Sequence, residues 1–320
     1  MANGYCIRGF DLLAVSQQKA LPVNILPFFT WGLGMAVELT YTAICRNNQL
    51  FIFDALREDE SQTGRRLHED VTDFANGIGR PNYCTRYVIK NRIMLVGYLK
   101  AMDSECKAGV LLPALHFECH GDAEKGLWIA ASDEYIPWPD LAALIAPLNA
   151  ASRNNVAVVL ATCHGFTLWR SVNIKTPCPF QYMIAPNQEI SAGAIHDSLL
   201  PFYKEVISTG ELSRALTHLD SKFQRFIAGE WFYSIIASFY THNYSLKDKE
   251  EIMNQMIDNE VAKAGYSNRQ MIRKSRVKIK KFLKDPREFY QAVEKLFFHG
   301  QMRVPYEDMK KFVDYQKGTP

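Results

Sequence analysis

Apolar positions change period repeatedly along the first two thirds of the chain. The run LFIFDAL (50–56) is short, aromatic and aliphatic, and bounded by polar residues, which predicts a strand. Leu67, Val71, Phe74 and Ile78 then recur with helical spacing, and Gly77, Gly79 and Pro81 stop that helix. Tyr87-Val88-Ile89 predicts a second, shorter strand, and Leu95, Leu99, Met102 and Cys106 a second helix ending at Gly109. A third apolar run, VLLPALHFECHG (110–121), contains Pro113, which cannot donate to a ladder, so pairing is expected from Ala114 onward. Residues 127–130 and 134–138 flank Ala131-Ser132-Asp133 as a hairpin. Leu141, Leu144, Ile145 and Leu148 mark a helix with Pro139 near its first turn. VAVVLATC (156–163) is almost continuously aliphatic, as a strand buried on both faces of a mostly parallel sheet must be. A strand over 180–185 and a helix through Ile195, Leu199, Phe202 and Val206 complete the series.

This order of strands and helices is that of an α/β sandwich with a mostly parallel central sheet. Beyond Asp220 the pattern becomes helical throughout, over 222–240 and again over 246–312. The first 48 residues fit no clear pattern, although 34–46 reads as a helix packed on the sheet. The chain thus divides into an N-terminal extension (1–49), an α/β domain (50–220) and a helical, basic C-terminal region (221–320).

Composition narrows the class. With 320 residues, 48 % of them hydrophobic and 22 % charged, the chain can bury a core and is not disordered or low-complexity. A net charge of +3 is too small to make nucleic acid the leading partner. Seven cysteines, an odd number without dense spacing, point to reduced thiols in a cytoplasmic setting rather than a secreted disulfide scaffold. No secretory signal is visible at the N-terminus. The most apolar early stretch, 25–37, is interrupted by Pro27, Gly32 and Gly34 and falls short of the ~20 residues that span a bilayer. Charge is uneven, however: residues 245–320 hold 17 Lys and Arg against 11 Asp and Glu, leaving the rest of the chain acidic.

The candidate chemistry lies at two strand ends. His120-Gly121 closes the strand that starts near Ala114, and Cys163-His164-Gly165 closes the strand from Val156. Ends of parallel strands are where α/β proteins gather their sites. If the two strands are neighbours, a histidine and a cysteine face one crevice, and the imidazole can take the thiol proton to give the nucleophilic thiolate. Glycine after each lets the backbone turn sharply and bring N–H groups to a developing oxyanion. The plainer readings are a buried cysteine packed as a small hydrophobe and a hydrogen-bonded turn histidine. His116 and Glu118 share a strand face with His120 and read as supporting residues, Cys119 as core. His164 should turn away from the crevice. Zinc is a rival, because Cys119-His120 and Cys163-His164 supply two thiols and two imidazoles, although adjacent strand residues diverge. We expect no metal and no organic cofactor. Asp122 and Asp133, both after strand ends, are candidates to line the substrate groove, with solvated loop carboxylates as the alternative.

The order, spacing and strand context of these residues resemble the caspase-fold cysteine peptidases. There a strand ending in His-Gly is followed about 40 residues later by one ending in Cys-x-Gly; here the separation is 43 residues. The layout of residues 50–219, including ISAGAIHDSLLPFYKEVISTGELSRAL, looks most like CHAT-type prokaryotic members. The resemblance implies a three-layer caspase-like sandwich. It implies His120 as base, Cys163 as nucleophile, the Gly121 and Cys163 amides as oxyanion donors, and peptide hydrolysis through a thioester acyl-enzyme. It also implies a protein substrate, an activating protein partner, and a setting in antiviral defence or cell death. Ser191 falls beside the family's substrate groove, but also reads as a helix N-cap.

Two departures bear on specificity. Ala161 stands where animal caspases have glutamine and metacaspases aspartate, and Gln62 where caspases place a substrate-binding arginine. Cleavage after aspartate is therefore not expected, and the short 166–179 loop fits a single-chain enzyme. A non-catalytic interaction module is the alternative, using the eight cations between Arg269 and Lys284, which include no intervening acid. Ile272, Ile279 and Leu283 make that segment an amphipathic helix with a solvated basic side. A protein contact ranks above nucleic acid for it, and we expect no membrane span.

Overall fold

The computed structural model describes residues 44–233 apart from Lys175, the helices Arg269–Lys284 and Arg287–Phe297, and single residues around those helices. The chain separates into two compact units. One comprises Thr40–Phe232 with Phe297–Met302, the other Met1–Leu39, Tyr233–Leu296 and Arg303–Pro320. Most of the N-terminal extension, including the expected helix up to residue 43, lies outside the described residues, as do residues 234–253.

The first unit is α/β. Its elements run β1 (Gln49–Asp54), α1 (Thr63–Gly77), β2 (Cys84–Val88), α2 (Arg92–Lys107), β3 (Pro113–Glu118), β4 (His120–Asp122), β5 (Gly126–Ile129) and β6 (Glu134–Ile136). They continue with α3 (Trp138–Ala151), β7 (Ala157–Ala161), a 3-10 turn (Gly165–Ser171), β8 (Tyr182–Pro186), α4 (Ala192–Thr209), α5 (Leu212–Ala215) and β9 (Phe223–Ile227). A six-stranded sheet has the order β2-β1-β3-β7-β8-β9, parallel except for the antiparallel β8–β9 edge. A separate three-stranded antiparallel sheet, β4-β5-β6, contains the expected hairpin.

Alternation along the strands divides the core into two faces. Leu50 and Ile52 of β1, Ala114 of β3 and Val159 of β7 pack with Leu67 and Val71 of α1 and Leu199 and Phe202 of α4. The neighbouring positions Phe51, Phe53 and Phe117 face the other way, where Tyr87 stacks on Phe51, Phe53 and, at 4.1 Å, on Tyr98 of α2. Helices α2 and α3 pack together. The sheet therefore lies between two helical layers, and its middle strands β3 and β7 are buried along their whole length.

Two expectations need correction. Residues 222–240 do not start as a helix: 223–227 form β9, because Phe223, Phe226 and Ile227 bury while the strand hydrogen-bonds to β8. Pairing of β3 begins at Pro113, opposite Gln49, one residue earlier than expected, and at the first residue of a strand the missing N–H is tolerated. The 166–179 loop is partly ordered as the 3-10 turn. In the second unit, Arg269–Lys284 (α6) and Arg287–Phe297 (α7) are helical as the periodicity predicts.

Candidate active site

β3 and β7 are adjacent and parallel, and Glu118 opposite Ala161 is their last paired position. His120 and Cys163 each follow two residues later, so the two strand ends meet in step at one rim of the sheet. From there the backbones part. His120 opens β4, which leaves the main sheet and pairs with β5, His120 opposite Trp128. Cys163 enters a tight turn in which the Gly165 amide donates to the Thr162 carbonyl at 3.2 Å. His164 takes a left-handed conformation in this turn, with φ 57°. That conformation is uncommon for a residue with a side chain, although histidine is among those that tolerate it.

The two ends touch through Gly121. A Cβ at this position would overlap the Cys163 carbonyl oxygen and the Thr162 hydroxyl. Glycine is thus required by close approach of two backbones rather than by a turn. Gly165 is crowded as well, by side-chain carbons of Thr162, Leu160 and Ala185.

His120 is set in a ring of contacts. Its side chain is 46 % exposed and its Nε2 lies 2.8 Å from Glu60 Oε1. One side of the imidazole meets the Trp128 indole, with centroids 5.4 Å apart. The Arg57 guanidinium lies over Trp128, and the Trp128 Nε1–H donates to Asp133. Glu60 Oε2 accepts the Arg57 amide at 2.7 Å. Burial alone would raise the Glu60 pKa. The Arg57 amide, the His120 hydrogen bond and the charges of His120 and Arg57 together outweigh it and hold the carboxyl below its ordinary value. Gln62 secures the same loop by donating to the carbonyls of Arg57, Glu58 and Glu60.

A depression of about 580 Å³ opens beside Cys163, lined by Gly121 through Lys125, Cys163, His164, Glu189 and Ile190. It includes Asp122 but not His120, Asp133 or Ser191. The Asp122 carboxylate accepts the amides of Lys125 and Glu124, which pull its pKa below the ordinary value. Asp133 serves Trp128 instead, and Ser191 caps α4 by accepting the Ala194 amide. His164 lines the depression rather than turning away, because its left-handed backbone redirects the side chain. Ala161 is buried at the end of β7 and does not line it.

Below the rim lies a buried polar layer. His116 is fully buried between Tyr203 of α4, 2.9 Å from Nδ1, and Glu118, 2.8 Å from Nε2. The Thr63 hydroxyl at the start of α1 donates to the other Glu118 oxygen. Asp54 is held by Arg86 and the Leu56 amide. Cys119 faces the core as expected, and burial pushes its thiol pKa well up. Burial likewise raises Cys45 to about 11 and Cys84, Cys106 and Cys178 to about 12. Cys163 is half-buried.

Among the described residues, no group of three or more His, Cys, Asp or Glu side chains could hold a metal ion. Cys119 and His120 diverge, one into the core and the other to Glu60. Among the described residues no helix is long and apolar enough to cross a membrane. On α6, Arg273, Lys274, Arg276 and Lys280 are exposed and Ile272 is half-buried. The side chains of Ile279 and Leu283, its other expected apolar positions, lie outside the described residues.

Sequence reasoning missed Glu60, Arg57 and Trp128. The segment Arg57-Glu58-Asp59-Glu60 carries only the signature of a solvated turn, and nothing in its spacing points to a histidine sixty positions away. The chain matches no family model and no curated protein.

Proposed function

We propose that this chain is a caspase-like cysteine peptidase, nearest in layout to CHAT-type members, with His120 as base and Cys163 as nucleophile. The observation that carries the reading is the pairing of β3 with β7, which brings the His-Gly and Cys-His-Gly ends to one rim beside an open depression.

His120 takes the Cys163 proton, and the thiolate attacks a substrate carbonyl carbon, moving the C=O electron pair onto oxygen. Amides at Gly121 and Cys163, on the two strand ends that touch at Gly121, are the candidate donors to that oxyanion. Collapse expels the amine, which leaves with the proton from the His120 imidazolium, and a thioester remains. Water deprotonated by His120 then attacks the thioester, releasing the carboxylate and restoring the thiol. The chemistry calls for no metal or organic cofactor. The substrate is a protein segment laid across the depression, and a partner protein gates the site in a defence or cell-death setting.

The test is to express the wild type and Cys163→Ala in the same host and compare new protein N-termini by mass spectrometry, alone and with candidate partner proteins. Cleavage products that appear only with the wild type support the reading. Identical N-terminal sets under every condition, together with a Cys163 no more reactive to iodoacetamide than the buried thiols of Cys84, Cys106, Cys119 and Cys178, overturn it.

A second reading has the exposed cations of α6 in its favour: an interaction module that grips an acidic partner. Binding of that kind weakens steeply with salt and survives Cys163→Ala unchanged.

A further inference from the structure

His120 has more partners than a base needs to accept a proton, and every one of them restricts it. Nε2 is 2.8 Å from Glu60 Oε1, the ring lies against Trp128, and Asp133 fixes Trp128 through the indole N–H. Glu60 is itself held at both ends. Its second oxygen accepts the Arg57 amide, its own amide donates to the Arg57 carbonyl, and Gln62 donates to its carbonyl. The Arg57 guanidinium then returns to Trp128, which closes the ring of contacts. The charged groups facing the imidazole are therefore Glu60 and Arg57 from the β1–α1 loop and, through Trp128, Asp133 from the β5–β6 turn.

We infer that Glu60 is the positioning residue of the His120–Cys163 pair: it receives the Nε2–H of His120 and so reserves Nδ1 for the Cys163 proton. This rests on the peptidase reading. A carboxylate only accepts, so the neutral ring beside it is the Nε2–H tautomer and its lone pair sits on Nδ1. When the proton moves from Sγ to Nδ1, the ring becomes cationic and the thiolate anionic. The Glu60 carboxylate then faces a positive ring at hydrogen-bond distance, an interaction stronger after the transfer than before it. A carboxylate in this place favours the thiolate–imidazolium state, whereas an amide can keep the hydrogen bond but not the charge.

The experiment follows alkylation of Cys163 by iodoacetamide, in which the thiolate forms an S–C bond and iodide leaves. Peptide mass spectrometry reads the rate from acid to alkaline pH in wild type, Glu60→Gln, Glu60→Asp and His120→Ala. We expect the rate at neutral pH in Glu60→Gln to fall about tenfold, less than the roughly 10²–10⁴-fold that a positioned base contributes in full, because His120 itself remains. Its pH profile should move to higher pH, and Glu60→Asp should recover part of the loss. Urea unfolding of Glu60→Gln that differs from wild type by no more than a solvent-screened ion pair contributes would separate this effect from a structural one. A second measurement needs no variant: the imidazole 15N spectrum of wild-type His120 should show the Nε2–H tautomer, and an Nδ1–H tautomer overturns the inference. Wild-type rates in Glu60→Gln beside slow His120→Ala overturn the Glu60 role alone. A slow wild-type Cys163 that is indifferent to His120→Ala overturns the peptidase reading and this inference with it.

Discussion

Two histidine–glutamate pairs of equal length lie within a few residues of each other and have opposite surroundings. His116–Glu118 and His120–Glu60 both span 2.8 Å. The first is sealed beneath α1 and α4, with Tyr203 and Thr63 filling the remaining positions on ring and carboxylate. In the second, the imidazole is 46 % exposed and only one of its nitrogens is occupied by Glu60. The difference arises where the strand ends. Through Glu118 the chain is locked in the central sheet, and two residues later it has left for the small one. Equal pairs therefore sit in unequal settings: a saturated one ties strands to helices, and an exposed one leaves a ring nitrogen open, as the proposed proton transfer requires.

The strongest way to break this comparison is to remove one member of the buried pair. His116→Ala removes a fully buried ring and leaves Glu118 without its partner, and the cavity and the unsatisfied buried group together cost about 3 kcal/mol or more. Urea unfolding should show a loss of that size for His116→Ala, while His120→Ala, which breaks only the solvent-screened pair, stays at about 1 kcal/mol or below. Equal losses at the two positions would mean that burial does not distinguish them.

Much of this was legible in the chain, and the limits have physical causes. VAVVLATC announced a buried strand because a strand covered on both faces needs apolar residues at every position. The two strand ends carrying His120 and Cys163 could be found for the same reason. β9 was read as helix because Phe223, Phe226 and Ile227 also fit a helical period, and only pairing with β8 decides between the two. β4 spans three residues, too few to carry any period. Glu60 had no signal at all, since a loop carboxylate that bonds across the fold looks like any solvated acid. His164 was misplaced because strand alternation stops applying once φ becomes positive.

A smaller perturbation tests whether the two strand ends act as one unit. In Gly121→Ala the new methyl must displace the Cys163 carbonyl or the Thr162 hydroxyl. Forced overpacking of this kind costs about 1–3 kcal/mol. Because the strain falls on the Cys163 backbone, the iodoacetamide rate at Cys163 should drop while the buried His116 layer keeps its stability. Unchanged labelling together with unchanged unfolding would show that the ends move independently.

The smallest effect concerns the exposed pair and its pH dependence. Its Glu60 carboxyl lies below its ordinary value of 4.5 in the folded protein. A depressed carboxylate pKa adds stability that is fully present above the unfolded value and is lost as pH falls through the folded one. Wild type should therefore exceed Glu60→Gln at neutral pH, with the gap closing as the pH drops below about 4.5. Solvent screens this pair, so the gap should stay under about 1 kcal/mol and shrink further in salt. Urea midpoints of the two proteins at several pH values measure it. A gap that widened in acid would reverse the sign of the coupling. A gap of several kcal/mol would mean that Glu60 is as structural as Glu118, which would erase the difference between the two pairs.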